Sequence, residues 1–168
     1  MLRIELRHRA GQRPSHVLTL PFDKRQKSRL RAVLDSGHSV SIQLERGTHL
    51  AHGDLLETTD GQVIEVRGAS ETLSRVGSAD PLLLARAAYH LGNRHVAVEI
   101  RGAELFYQHD HVLDGMLRQL GLEVSTVERT FEPEAGAYGS GHAHAVRSDG
   151  HGHGHGHAHH HHEDEDDP

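Results

Sequence analysis

A chain of 168 residues has room for one or two small domains, and the absence of any run of 18 apolar residues excludes a helical membrane span. Zero cysteines exclude disulfides, thiolate metal sites and thiol nucleophiles together. The formal charge of −6 is unevenly placed: residues 1–141 carry 17 Lys and Arg against 18 Asp and Glu, whereas residues 142–168 carry Arg147 against six acids. The part able to build a core is therefore near neutral. It has no basic patch interleaved with aromatics, so nucleic acid is not an expected partner. The N-terminal Met-Leu-Arg-Ile-Glu-Leu-Arg lacks a signal-peptide apolar stretch, which places the expected location in the cytoplasm.

In chain order, Leu2, Ile4 and Leu6 alternate and read as a strand, as do Val17 to Leu20. Pro21 to Ser28 is charged and reads as a turn or a single helical turn. Leu30, Ala32 and Leu34 alternate with polar neighbours, as do Val40, Ile42 and Leu44. Asp35-Ser36-Gly37-His38 between them predicts a hairpin. Glycines at 47 and 53 punctuate a loop, Leu55–Thr58 reads as a short strand, and Asp60-Gly61 is a turn signal before a strand at Gln62–Arg67. Residues 1–70 are expected to form a small β-rich domain.

From Glu71 the pattern becomes strand and helix. Thr72–Val76 reads as a strand. Pro81–Leu91 reads as a helix, with Asp80 able to cap, Pro81 at the first position, and Leu84, Ala87, Ala88 and Leu91 as its apolar stripe. Gly92 suits a left-handed closing position. Val96–Ile100 and Glu104–Tyr107 read as strands, Val112–Leu120 as a second helix closed by Gly121, and Leu122–Arg129 as the last strand. The order βαββαβ over 71–138 is the ferredoxin-like plan, so the expected fold class is α+β. Residues 139–168, dominated by glycine, histidine and acid, are expected to be disordered.

The chain holds 19 histidines, and ten of them fall between 142 and 162. His142 and His144 stand apart. His151, His153, His155 and His157 alternate with Gly or Ala, and His159, His160, His161 and His162 are contiguous. Imidazole suits Ni, Zn and Cu, and a Gly-His alternation lets neighbouring rings converge on one ion. An expression tag is the plain alternative, against which stand the interspersed Gly and Ala and the acidic end at Glu163–Asp167. His109 and His111 flank Asp110. In extended chain both rings would face one way and could share an ion; alternatively, Asp110 caps a helix beside two exposed histidines. His95 follows a helix C-terminus in a short polar turn. One imidazole makes a poor metal site, but two related by a dimer axis would share an ion. His8, His16, His38, His49, His52 and His90 read as ordinary surface or flank residues.

Taken together, Leu91-Gly92-Asn93-Arg94-His95, Asp110-His111-Val112-Leu113 with Met116-Leu117, Arg46-Gly47-Thr48 through Gly53-Asp54-Leu55-Leu56, and the His-rich C-terminus resemble the urease accessory nickel chaperone family, UreE. The resemblance spans nearly the whole chain. It implies a peptide-binding type of N-terminal domain, a ferredoxin-like metal-binding domain, and a homodimer formed through the latter. It assigns the interfacial Ni(II) ligand to His95 of each protomer and auxiliary ligands to His109 and His111; by ligand chemistry alone, Zn(II) or Cu(II) are further ions in vitro. The partners it implies are the urease accessory GTPase and the urease apoprotein complex.

Two other readings compete. A metal store or detoxification protein would use the tail as its main site. A metal-dependent hydrolase would need chemistry the chain does not display: there is no His-Glu-x-x-His, no Gly-x-Ser-x-Gly and no phosphate loop before the tail. The expected protein is therefore not an enzyme.

Overall fold

The computed structural model describes residues 3–6 and 13–135. The tail from 139 to 168 and its ten candidate histidines lie outside the described residues, as does His8.

The first half contributes β1 (Arg3–Leu6), β2 (His16–Leu20), the short helix α1 (Phe22–Arg25), β3 (Arg29–Val33), β4 (Ser39–Gln43), β5 (Leu55–Thr58) and β6 (Val63–Gly68). They form one six-stranded sheet in the order β2-β6-β5-β1-β4-β3. The β1/β4 and β2/β6 pairs are parallel and the others antiparallel. Period-two alternation drives the layering: Val40 and Ile42 of β4 are buried while Ser39 and Gln43 are exposed. Leu18, Leu56, Ile64 and Val66 share the core with them. Burying each such side chain contributes about 1.5–3 kcal/mol. The expected β3–β4 hairpin forms, with Leu34 N–H donating to His38 O at 2.9 Å and Gly37 at φ +89°.

The second half contributes β7 (Ser70–Gly77), α2 (Pro81–Gly92), β8 (Glu99–Arg101), β9 (Glu104–Gln108), α3 (His111–Gln119) and β10 (Glu123–Thr130). The four strands make an antiparallel sheet in the order β10-β7-β9-β8. Val76, Leu105 and Tyr107 from this sheet meet Ala87 and Leu91 of α2 and Leu117 of α3 in a second core. The molecule is thus strand-rich with few helices, an α+β arrangement.

Only Ala69 separates β6 from β7. Arg25, 1% exposed, donates to Leu20 O and Leu50 O in the first half. It also donates to the Glu132 carboxylate at 2.7 Å and to Phe131 O, in the segment that follows β10. Phe22 of α1 meets Phe131 edge-on at 5.0 Å between ring centres.

Three local expectations need correction. Gly92 is not the left-handed residue that ends α2; it is still helical, and the positive φ falls three residues later. The strand expected over Val96–Ile100 shortens to Glu99–Arg101, because Val96 and Val98 are spent packing against the core beside α2. His111 is not in extended chain but opens α3, so His109 and His111 do not share one strand face.

Candidate metal centre

The position of His95 is built by α2. Asp80 caps the helix through its carboxylate, which accepts from Leu82 N–H at 2.9 Å, and Pro81 takes the first helical position. Ala87 and Leu91 then hold the helix to the sheet. At the far end, His95 N–H donates to Gly92 O at 2.9 Å and Val96 N–H donates to Leu91 O at 3.2 Å. Those two bonds, with Val96 packed in the same core as Leu91, make the Schellman closure of a helix. The residue at its left-handed position is ordinarily glycine. Here it is His95, at φ +58°, the sole non-glycine with positive φ among the described residues. A Cβ in that region costs about 1–2 kcal/mol. Arg94 reinforces the turn by donating to His90 O at 2.9 Å. The imidazole of His95 is exposed.

His109 and His111 are held at the junction of β9 and α3. Asp110 is the N-cap of α3, accepting from Val112 N–H at 2.7 Å and Leu113 N–H at 3.2 Å. These backbone donors, that of Leu113 first, hold its carboxyl below the usual range, and the neighbouring imidazoles add to the effect. The capping role foreseen for Asp110 is therefore realised. His109 has its Nδ1 3.0 Å from Ser74 Oγ and 3.5 Å from an oxygen of the buried Asp114. His111 is exposed on the first turn of α3.

Sequence reasoning missed Ser74, Tyr107 and Asp114, all buried, the two hydroxyls both donating to Asp114. A signal was available: Asp114 sits three residues before Leu117 on the face of α3 that packs on the sheet, an unusual place for a carboxylate. Four of the other described histidines find hydrogen-bonding partners, and the ring of His90 meets that of Tyr89 edge-on. His16 meets Gln62 at 2.7 Å, His38 meets Ser36 at 3.1 Å, His49 lies 3.3 Å from Gln26 O, and His52 accepts from Gly68 N–H at 3.1 Å. Among the described residues no three His, Asp or Glu side chains converge as a metal cage. No helix among them is long and apolar enough to cross a membrane.

What the fold and site define is a two-sheet α+β protein that displays histidines on turns at helix ends. Comparison with known proteins gives this class its family. Residues 3–69 match the family model of the UreE urease accessory protein, N-terminal domain, and residues 71–162 match that of the UreE urease accessory protein, C-terminal domain. The urease accessory protein UreE of Alkalilimnicola ehrlichii is 55% identical over 123 residues, covering 73% of this chain and 76% of the relative. That of Citrobacter koseri is 55% identical over 125 residues, covering 74% and 82%. That of Pseudomonas putida strain F1 is 56% identical over 127 residues, covering 75% and 76%. The chain belongs to the UreE family of urease accessory proteins. It is an accessory protein and not an enzyme.

Proposed function

We propose that this protein is a cytoplasmic nickel metallochaperone that carries Ni(II) as cargo and donates it during urease maturation. The observation that carries the reading is His95 at a left-handed, glycine-type position. Backbone strain retained at one exposed histidine points to a role for the side chain that glycine could not serve. In this reading residues 1–70 are a domain of peptide-binding type, and 71–138 are a ferredoxin-like domain, an assignment supported by the order β7-α2-β8-β9-α3-β10. Two copies dimerise through the second domain, so that a two-fold axis turns one His95 into a pair of nitrogen ligands. Such a site is open, which suits an ion that must leave again. His109 and His111 serve as auxiliary ligands. The tail from 139 to 168, through His142, His144, His151, His153, His155, His157, His159, His160, His161 and His162, collects ions at a local concentration on the order of mM. Zn(II) and Cu(II) compete in vitro, copper most strongly by intrinsic affinity order. The partners are the urease accessory GTPase and the urease apoprotein complex.

A second reading, metal storage, is favoured by the ten histidines of 142–162. One experiment separates the two: calorimetric Ni(II) titration with oligomeric mass, on residues 1–141 with and without His95→Ala. A chaperone keeps about one tight ion per dimer after truncation and loses it with His95. If the truncated protein binds nothing tightly, the tail is the metal site and storage is the better description.

A further inference from the structure

Beneath His109 lies a buried polar cluster drawn from three elements. Ser74 comes from β7, Tyr107 from β9 and Asp114 from α3, and none is more than 2% exposed. Asp114 Oδ1 accepts from Ser74 Oγ and from Tyr107 Oη, each at 2.6 Å. Burial first, and then the carboxylate beside it, hold the Tyr107 phenol above its usual range, so its oxygen keeps the proton it donates. The second oxygen of Asp114, Oδ2, lies 3.5 Å from His109 Nδ1 and 3.6 Å from the Arg118 guanidinium.

The protons of this cluster can be counted. A serine hydroxyl has one hydrogen, and Ser74 commits it to Asp114. Toward His109 Nδ1, 3.0 Å away, Ser74 Oγ can then only accept, so the hydrogen in that contact belongs to Nδ1. Neutral imidazole has one N–H and one lone pair, which leaves the lone pair on Nε2. The carboxylate at 3.5 Å favours the same arrangement, since a hydrogen on Nδ1 faces it and a lone pair would be repelled.

We propose that Ser74 and Asp114 are positioning residues that fix His109 in its Nδ1–H tautomer, with the Nε2 lone pair left free for a divalent metal ion. The proposal rests on the reading of His109 as a metal ligand and supplies what that reading lacks: the partners that orient the ring and select its nitrogen. A histidine ligand is ordinarily backed in this way by a carboxylate or other acceptor on its second nitrogen, and removing the backing weakens metal binding roughly 10–100-fold.

The test is nitrogen NMR of the full chain with labelled histidine, at a pH where the ring is neutral, His109 being assigned by its loss in His109→Gln. The expected result is a protonated Nδ1 and an unprotonated Nε2 at His109 in the native sequence. Asp114→Asn lowers the Nδ1–H fraction: both hydroxyls donate to Oδ1, so the amide oxygen keeps that place and the NH2 group faces His109, while Ser74 Oγ still accepts from Nδ1. Ser74→Ala lowers the fraction as well, by removing the nearer acceptor. A native ring protonated on Nε2, or an Nδ1–H fraction unchanged in either variant that folds, overturns the proposal. Addition of paramagnetic Ni(II), with His111→Gln as the control for an ion held by the neighbouring imidazole, then separates this proposal from the reading beneath it, because the broadening is read at the His109 nitrogens themselves. Broadening in the native chain that needs roughly 10–100-fold more Ni(II) in Asp114→Asn supports both. The inferred tautomer with no broadening supports the positioning roles and overturns His109 as a ligand.

Discussion

In the proposed chaperone, His95 sets stability against metal binding in one side chain. Its backbone sits where glycine is at ease, and the two hydrogen bonds of the helix closure, from His95 to Gly92 and from Val96 to Leu91, leave it no other conformation. His95→Gly is therefore expected to raise stability by about 1 kcal/mol while removing the tight metal ion, whereas His95→Ala removes the ion and keeps the strain. Denaturant midpoints of the three proteins check this: a His95→Gly variant less stable than the native chain would mean that the imidazole itself holds the turn. The sequence singles out His95 by its place after a helix. That it occupies the left-handed position was not visible there, because Gly92 offered the local sequence a more usual stop. The choice between them fell to packing, since Val96 reaches the core beside Leu91 only when the helix runs on through Gly92.

Strand and helix identities were the most legible part of the fold, and the residues that join elements were the least. The alternation in β4 and the Asp80-Pro81 start of α2 announce their structures within a few residues. Gly68, at the end of β6, shows what local patterns miss. A Cβ there would collide with the Thr130 methyl of β10, which a β-branched side chain cannot swing away, and Thr130 Oγ1 donates to Gly68 O at 3.1 Å across the same approach. Gly68→Ala is expected to cost about 1–3 kcal/mol through this overpacking. Thermal unfolding checks it, with Gly61→Ala as a comparison in which positive φ, and not a neighbour, supplies the penalty. A Gly68→Ala protein as stable as the native chain would mean that β6 and β10 can part at no cost.

Across the whole molecule, Arg25 ties the first sheet to the end of the chain's second sheet. Its guanidinium is buried, and its donors are divided between carbonyls of the first half and the Phe131–Glu132 segment. Arg25→Ala leaves those acceptors without their donor and is expected to cost about 3 kcal/mol, the lower end for a broken buried pair because Glu132 is one-third exposed. The loss should appear in the unfolding of both halves together; a change confined to one would show that they unfold independently. By itself the sequence determined the α+β class, most of the elements, the family and the histidines worth testing, because periodicity, caps and short motifs are written in neighbouring residues. Tertiary structure alone decided the parallel pairs of the first sheet, the left-handed His95, and the meeting of Ser74, Tyr107 and Asp114 under His109. Each of these depends on which distant residues a buried group can reach, and a buried donor or carboxylate takes whatever partner the packing brings within about 3 Å.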